Sequence, residues 1–79
     1  MNFKNMKQVN DFLAIVEKCE GSVYLNSEDG DVFNLKSRLS QYIAIGELLS
    51  ARGDELKLVC EHREDWDKFF EFFKNHHDI

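Results

Sequence analysis

Apolar residues recur at helical spacing near the start of the chain. Between residues 6 and 20 they are Val9, Phe12, Leu13, Val16 and Cys19. Spacing of three or four positions puts such residues on one face of an amphipathic helix. Asn5 is a suitable N-cap for this helix, with Gln8 three positions later as in a capping box. Gly21 is expected to end the helix in the left-handed conformation that many helix C-termini adopt.

Alternating apolar and polar residues predict a β-hairpin next. The first strand covers residues 22–27, with Val23 and Leu25 on one face, and the second covers residues 32–35. Between them lies Glu-Asp-Gly-Asp, and Asp-Gly tolerates the positive φ angles of tight hairpin turns. The hairpin should therefore turn at Gly30.

Two further strands are predicted from shorter signals. Residues 55–61 alternate, with Leu56, Leu58 and Cys60 facing inward as in a sheet covered on one face. Residues 1–4 form a candidate strand that depends mainly on Phe3. The sequence thus predicts four strands in all.

A second helix is predicted over residues 38–50, with Ser37 as its N-cap. Its predicted apolar side consists of Leu39, Tyr42, Ile43, Leu48 and Leu49. Gly46 lies within this helix and is expected to bend it or end it early, because glycine is a poor helix former. A turn at residues 52–54 follows.

A third helix is predicted over residues 63–75 from an aromatic stripe. Its members, spaced at i, i+3, i+4 and i+7, are Trp66, Phe69, Phe70 and Phe73. They are expected to pack on the sheet, while Glu64 and Asp65 favour the first turn electrostatically. Phe72 and Ile45 lie off the two helical stripes and are expected to form an exposed apolar spot for a partner or a second copy. Residues 76–79 are expected to fray.

The predicted element order is β-α-β-β-α-β-α in a single domain over residues 1–79. Strands that alternate with helices, together with one hairpin, predict an α+β fold. We expect a two-layer, open-faced sandwich with the helices on one face of the sheet.

Charge and apolar content narrow the function classes. The formal net charge is −5, which repels nucleic acids and anionic lipid surfaces. No apolar run approaches a membrane span, and the N-terminus lacks a signal-peptide core. Cys19 and Cys60 lie on apolar sides of their elements and are expected to be buried, reduced thiols. The sequence predicts a cytoplasmic protein with no nucleic-acid or membrane partner.

The run Asn34-Leu35-Lys36-Ser37 passes from the predicted hairpin directly into the second helix. In this element order it resembles the regulatory-serine segment of HPr, the histidine-containing phosphocarrier family of the bacterial sugar phosphotransferase system. The first helix at residues 9–16 and the closing unit at residues 56–65 are similar to the same family. The resemblance covers nearly the whole chain and implies an HPr-like sandwich.

The sequence departs from that family where its chemistry lies. An active phosphocarrier of this kind presents a histidine followed by Arg-Pro at the start of the first helix, but residues 5–9 contain no His, Arg or Pro. The histidines of this chain are His62, His76 and His77, all late in the sequence. We therefore expect an HPr-like binding or regulatory protein without phosphocarrier activity: not an enzyme, and with no catalytic residue, cofactor or metal.

Ser37 has two interpretations. It matches the serine that a dedicated kinase phosphorylates in Gram-positive HPr, which makes it the candidate regulatory site, and serine is also a good N-cap. The candidate partner surface is Lys7, Lys36, Arg38 and Leu39, for phosphotransferase-system or regulatory proteins. The chain is expected to be a monomer or a weak homodimer.

Three alternatives stay open. The chain could be a divergent phosphocarrier regulated through Ser37, or a plain protein-interaction or dimerisation domain that keeps only the fold. His76, His77 and Asp78, with or without His62, could in principle hold a divalent metal, but we interpret them as surface residues.

Overall fold

Three helices and a three-stranded antiparallel sheet make up the fold in a computed structural model. It describes residues 1–79, with the exception of the side chains of residues 51 and 52. In chain order the elements are α1 (Met6–Lys18), β1 (Val23–Asn26), β2 (Val32–Asn34), α2 (Arg38–Leu49), a 3-10 helix (Ala51–Glu55), β3 (Lys57–Cys60) and α3 (Asp65–Lys74). The α+β prediction is confirmed.

The strands are ordered β2-β1-β3, and both pairs are antiparallel. Leu25 lies opposite Phe33 on one side and Leu58 on the other, so these three side chains share the inner face. The predicted inward alternation is confirmed: Val23 and Leu25 are buried, whereas Lys57 and Val59 in β3 are exposed. The hairpin turns at Gly30, whose φ is +93°.

The predicted strand over residues 1–4 is wrong, because this segment does not join the sheet. The terminal amino group donates to the Gly53 carbonyl at 3.1 Å, and the Asn2 N–H donates to the Ile79 carbonyl at 3.3 Å. Phe3 is nonetheless buried. The apolar side chain anchors the segment in the core, while its backbone finds partners other than a neighbouring strand.

Phe12 lies at the centre of an aromatic core. Its ring centroid is 5.3 Å from that of Phe3, 5.4 Å from that of Phe69 and 6.0 Å from that of Phe72. The tilted ring geometries are those that aromatic pairs prefer. The predicted face of α1 is confirmed, with Leu13 at its partly buried margin.

Three of the four residues in the predicted aromatic stripe of α3 lie on its core side, because Trp66 and Phe73 pack against the core together with Phe69. Phe69 is buried as expected, but Phe70 is 62% exposed and stacks on Trp66. Phe72, expected at the surface, is 5% exposed and packs in the core. Phe70 and Phe72 thus exchange the places that the spacing predicts, and the fully or nearly buried residues of the helix are Asp65, Phe69 and Phe72.

Gly21 allows the end of α1 to pack closely against His62, and it does not adopt the left-handed conformation that the sequence predicts. Gly30 is the one described glycine with a positive φ, so the prediction for Gly21 is wrong. A Cβ at residue 21 would lie 2.7 Å from His62 Cβ and 3.0 Å from its backbone nitrogen. The end of α1 therefore lies directly against the loop between β3 and α3.

The Asp65 side chain holds this junction together through hydrogen bonds. It is fully buried, and its carboxylate accepts from the Glu20 N–H at 3.0 Å, the Gly21 N–H at 2.9 Å and Lys68 Nζ at 2.9 Å. Burial by itself would raise the pKa of the Asp65 carboxyl, but the bonds from Lys68 and the two backbone amides hold it well below its usual range. The carboxylate thus replaces the water that these amides would otherwise bind.

The C-terminal residues are tied to the domain, so the predicted fraying is wrong. The His76 ring stacks on Phe72 with centroids 4.3 Å apart, and its Nδ1 lies 2.8 Å from the Phe72 carbonyl oxygen. Gln8 Nε2 donates to Asp78 at 3.1 Å. In the described part of the chain, none of the helices is both long and apolar enough to span a lipid bilayer.

Candidate protein-binding site

The segment from β2 into α2 is built around the buried Leu35. The Leu35 N–H donates to the Val23 carbonyl at 2.8 Å, which carries the β2 edge one residue further. Asn34 Oδ1 then accepts from the Lys36 N–H at 3.0 Å, and the Gln41 side chain donates to the Leu35 carbonyl. Asn34 and Gln41 therefore hold the chain in the bend that starts α2.

Ser37 occupies the N-cap position of α2, as predicted, but its side chain makes no capping hydrogen bond within the described residues. Its backbone is extended, and its carbonyl accepts from the Gln41 N–H at 2.9 Å. Ser37 as a residue is half-buried beside the first turn of the helix. The predicted capping interaction is wrong in its chemistry, although the position of Ser37 is right.

The four predicted partner-surface residues divide into two groups. Arg38 and Leu39 are exposed in the first turn of α2, next to Lys36. The Lys36 ammonium donates to the Cys19 carbonyl, which joins it to the end of α1. Lys7 lies on α1 and forms a 3.0 Å ion pair with Asp11 on the same helix. Lys7 is thus already engaged within α1.

The outer side of α2 carries large apolar side chains in contact with solvent. Leu39 is 73% exposed, Tyr42 is 70% exposed and Ile43 is 54% exposed, within two successive turns of the helix. Leu49 continues the same side at 39% exposure. We call Leu39, Tyr42, Ile43, Gly46 and Leu49 the α2 apolar face. Apart from the buried Leu48, the residues predicted to form the core side of α2 thus lie on this outward face.

The core side of α2 is formed by a different set of residues. Ala44 and Leu48 are buried, and Ile45 packs against the core although it was expected at the surface. The helix also runs through Gly46 without interruption. Two apolar stripes on one helix explain the wrong prediction, since the spacing of either one fits a buried face.

The two thiols are poor candidates for chemistry. Cys19 and Cys60 are both free and buried, as predicted. Burial raises the pKa of the Cys60 thiol to about 11, with a further contribution from the neighbouring Cys19, and burial likewise raises the pKa of Cys19. Since the thiolate is the reactive form, both side chains are protonated and unreactive near neutral pH.

One group of described side chains has donor types suited to a cation: Glu20, His62 and Glu64, whose ligand atoms lie within 4.8 Å of one another. His62 Nε2 is 3.6 Å from a Glu20 oxygen. However, His62 Nδ1 is buried without a hydrogen-bond partner in the described part of the chain. Metal bound at Nε2 would leave a buried N–H at Nδ1 without an acceptor, whereas histidine ligands normally donate from that nitrogen. We therefore assign no cation to this group.

Two of the open depressions formed by the described residues lie on the surface of the helices. One of about 480 Å³ lies over Trp66 and Phe70, between Arg63 and Asp67. The other, of about 400 Å³, lies between α1 and α3; it is lined by Ile15, Lys18, Asp67, Lys68 and Glu71. Neither lining pairs a nucleophile with a base, so neither resembles an active site.

No protein-family model, curated protein or solved structure matches this chain. The candidate site therefore rests on the geometry of α2. Tyr42 and Ile43 are the residues that sequence reasoning missed as surface contacts. The sequence does contain a pattern that indicates an exposed apolar face, because α2 has more apolar residues than one buried face can hold.

Proposed function

We propose that this chain is a small protein-binding module of the HPr-like type that lacks phosphocarrier activity and docks a partner on the α2 apolar face. One observation carries the proposal: Leu39, Tyr42 and Ile43, which span two successive turns of one helix, are each more than half exposed. Contiguous exposed apolar side chains of this kind are typical of interaction sites, whereas single ones are common on any surface.

The charges beside this face favour an acidic partner. Lys36 and Arg38 lie at the N-terminal end of α2 in a chain whose net charge is −5. The N-terminal end of a helix also carries positive partial charge from its free amides. A partner that presents apolar residues next to carboxylates would match both features.

The order of elements supports the HPr-like part of the proposal. After residues 1–4, the observed order α-β-β-α-β-α agrees with the order that the resemblance implies. The start of α1 carries no imidazole: Asn5 Oδ1 accepts from the Gln8 N–H at 3.0 Å, and Lys7 is paired with Asp11. These side chains cap and stabilise the helix where a phosphocarrier would present its histidine.

Phosphocarrier activity is tested directly with enzyme I and labelled phosphoenolpyruvate. Phosphoryl transfer needs a nucleophilic side chain held beside groups that stabilise the phosphoryl oxygens. We expect no label on the chain, with a genuine phosphocarrier labelled in the same reaction as the positive control. Label on His62, His76 or His77 would contradict the proposal.

Binding is tested with variants that place charge on the α2 apolar face. Tyr42→Asp and Ile43→Asp are compared with Val32→Asp, a matched control because Val32 is 61% exposed but lies on β2. Phosphotransferase-system and regulatory proteins serve as candidate partners in a pull-down with purified components. Loss of binding in the two α2 variants, with Val32→Asp unchanged, supports the site. Equal loss in all three variants would place the site elsewhere.

A second candidate function is regulation at Ser37. The observation that favours it is a hydroxyl group at the start of α2 that makes no capping bond in the described residues. Phosphate there would lie near the free amides of the first turn, which stabilise negative charge. Incubation with HPr kinase and ATP, followed by intact mass measurement, should add one phosphate to the wild type and none to Ser37→Ala. An unchanged wild-type mass would remove this candidate.

A further inference from the structure

β3 lies at one edge of the sheet, and its main-chain groups point alternately toward β1 and away from it. The Glu61 N–H donates to the Ser22 carbonyl at 3.0 Å, and β3 pairs with β1 in the same register, so Val59 also bonds to β1. Residues that exchange hydrogen bonds with a neighbouring strand alternate with residues that do not. The N–H and C=O groups of Leu58 and Cys60 therefore point toward the open side of β3.

These four main-chain groups are unpaired. Within the described part of the chain, none of them has a hydrogen-bond partner. β1 is the one described element that β3 contacts extensively. The segment predicted as a further strand, residues 1–4, bonds to Gly53 and Ile79 instead of joining β3. Two donors and two acceptors at strand spacing form a template for another extended chain.

The opposite edge of the sheet is less suited to pairing. β2 has only three residues, and the Asn34 carbonyl already accepts from the Ser37 N–H at 3.1 Å. α2 also packs against β2. β3 has four residues, contains no proline and keeps a continuous register with β1. Of the two edges, β3 is therefore the one that can accept a further strand.

Lys57 and Val59 project from the outer face of the sheet and alternate with these free groups. The Lys57 side chain is exposed and has no partner among the described residues, and Val59 is 36% exposed. A lysine at a sheet edge disfavours pairing with basic or wholly apolar segments. It favours a segment that brings a carboxylate opposite it, because cross-strand pairs of opposite charge stabilise a sheet, as do pairs of β-branched residues.

We propose that β3 binds an extended segment of a partner protein, which adds to the sheet as a fourth, antiparallel strand. The segment carries a carboxylate opposite Lys57 and, two positions away, a β-branched side chain opposite Val59. Main-chain hydrogen bonds hold the segment, and these two side chains select it. Both existing strand pairs are antiparallel, and this is the more stable pattern per residue. The site lies on a different element from the α2 apolar face and does not depend on the proposed function.

Amide hydrogen exchange of the free chain, followed by NMR, tests whether the edge is open. The Leu58 and Cys60 amides should be protected about tenfold less than the Val59 amide, which bonds to β1. Equal protection of all three amides would mean that the chain itself or a second copy already covers the edge. That result would overturn the inference.

Binding is tested with the acetylated and amidated hexapeptide Thr-Thr-Val-Thr-Glu-Thr. In the proposed register its third residue lies opposite Val59 and its fifth residue lies opposite Lys57. A short flexible peptide loses much conformational freedom on binding, so we expect a dissociation constant of about 1 mM. At about 5 mM the peptide should shift the Leu58 and Cys60 amide resonances and slow the exchange of both amides. Unchanged resonances and exchange at this concentration would overturn the inference.

N-methylated versions of the hexapeptide separate main-chain pairing from side-chain contacts. The second and fourth residues would face Cys60 and Leu58, so a methyl group on either of their amide nitrogens should abolish binding. The amides of the third and fifth residues would point away from β3, and methylating them should change the dissociation constant by less than about threefold. All four peptides carry the same side chains. Equal effects at the four positions would contradict strand addition.

A charge exchange tests the register. Lys57→Glu should weaken binding of the hexapeptide by about fivefold, and a peptide with lysine as its fifth residue should prefer this variant to the wild type. Lys74→Glu is the matched control, because it makes the same charge change at an exposed position of α3. It should leave the binding of both peptides unchanged. Equal effects of the two variants would show that net charge alone governs binding and would contradict the proposed pairing.

Discussion

Asp65 Oδ2 accepts a hydrogen bond from the Gly21 N–H at 2.9 Å, which joins the start of α3 to the end of α1 across 44 positions of sequence. The other carboxylate oxygen accepts from Glu20 and from Lys68. A fully buried carboxylate is stable only when its charge is compensated in this way. The junction between the two helices is therefore an electrostatic contact as well as a hydrophobic one.

Asp65→Asn should destabilise the domain in a pH-dependent manner. An amide cannot accept from all three donors, and the Lys68 ammonium would lose its counter-charge. We expect the melting temperature at pH 7 to fall by more than about 5 °C. The pKa of Asp65 lies below its usual 3.8 in the folded state, so the stability that depends on its charge is complete above that value and is lost as the pH falls below it.

Urea unfolding of wild type and Asp65→Asn between pH 7 and pH 2.5 checks this prediction. The difference in unfolding free energy should be constant above about pH 5 and should shrink below about pH 4. Asp67→Asn is the control, because Asp67 is an exposed carboxylate in the same helical turn. A difference between wild type and Asp65→Asn that does not change with pH would contradict the role of the charge.

Gly21→Ala should destabilise the domain by about 1–3 kcal/mol, the usual cost of overpacking. The new Cβ would meet His62 Cβ at 2.7 Å and its backbone nitrogen at 3.0 Å. Neither atom belongs to the flexible end of a side chain, so the loop itself must move. Chemical denaturation measures the change, with Gly46→Ala as a stabilised counterpart, since a Cβ at residue 46 would have no heavy atom within 4 Å. If Gly21→Ala left the unfolding free energy unchanged, α1 and this loop would not be in tight contact.

The pair Phe72→Ala and Phe70→Ala tests the orientation of α3. Phe72 contacts Phe12 and Phe73 in the core, and its loss should cost about 3–5 kcal/mol of unfolding free energy. Phe70 is largely exposed and should cost less than about 1 kcal/mol. The two variants remove the same atoms from the same helix, so each controls for the other. The opposite ranking would restore the orientation that the aromatic spacing predicts.

The two cysteines should not react with thiol reagents in the folded protein. At pH 8, Cys19 and Cys60 should react with an aromatic disulfide reagent only after unfolding, since both thiols are buried and the pKa of Cys60 is raised to about 11. The reaction is followed by absorbance with and without guanidinium chloride. Fast modification of either thiol under native conditions would show that its element opens readily.

Prediction from the sequence succeeded in the elements whose apolar residues form a single stripe, because only one face can then be the buried one. The inward residues of α1, the hairpin with its turn at Gly30, and the inward face of β3 are all confirmed. In these elements the apolar positions form one stripe, and its direction is fixed by alternation or helical spacing alone. The candidate site was predicted only in part: Arg38 and Leu39 are exposed at the start of α2, but Tyr42 and Ile43 were expected to face the core.

The sequence by itself determined the three helices, the hairpin and the last strand, the capped start of α1, the reduced thiols and the absence of a histidine at the start of α1. Only the tertiary structure decided which of two apolar sides α2 buries and whether Phe70 or Phe72 of α3 faces the core. That choice depends on contacts distant in sequence: Asp65 must reach the amides of Glu20 and Gly21, and Ala44 and Leu48 face the core. Helical spacing shows which residues share a face of a helix. The packing of the other elements decides which face is buried and which stays exposed.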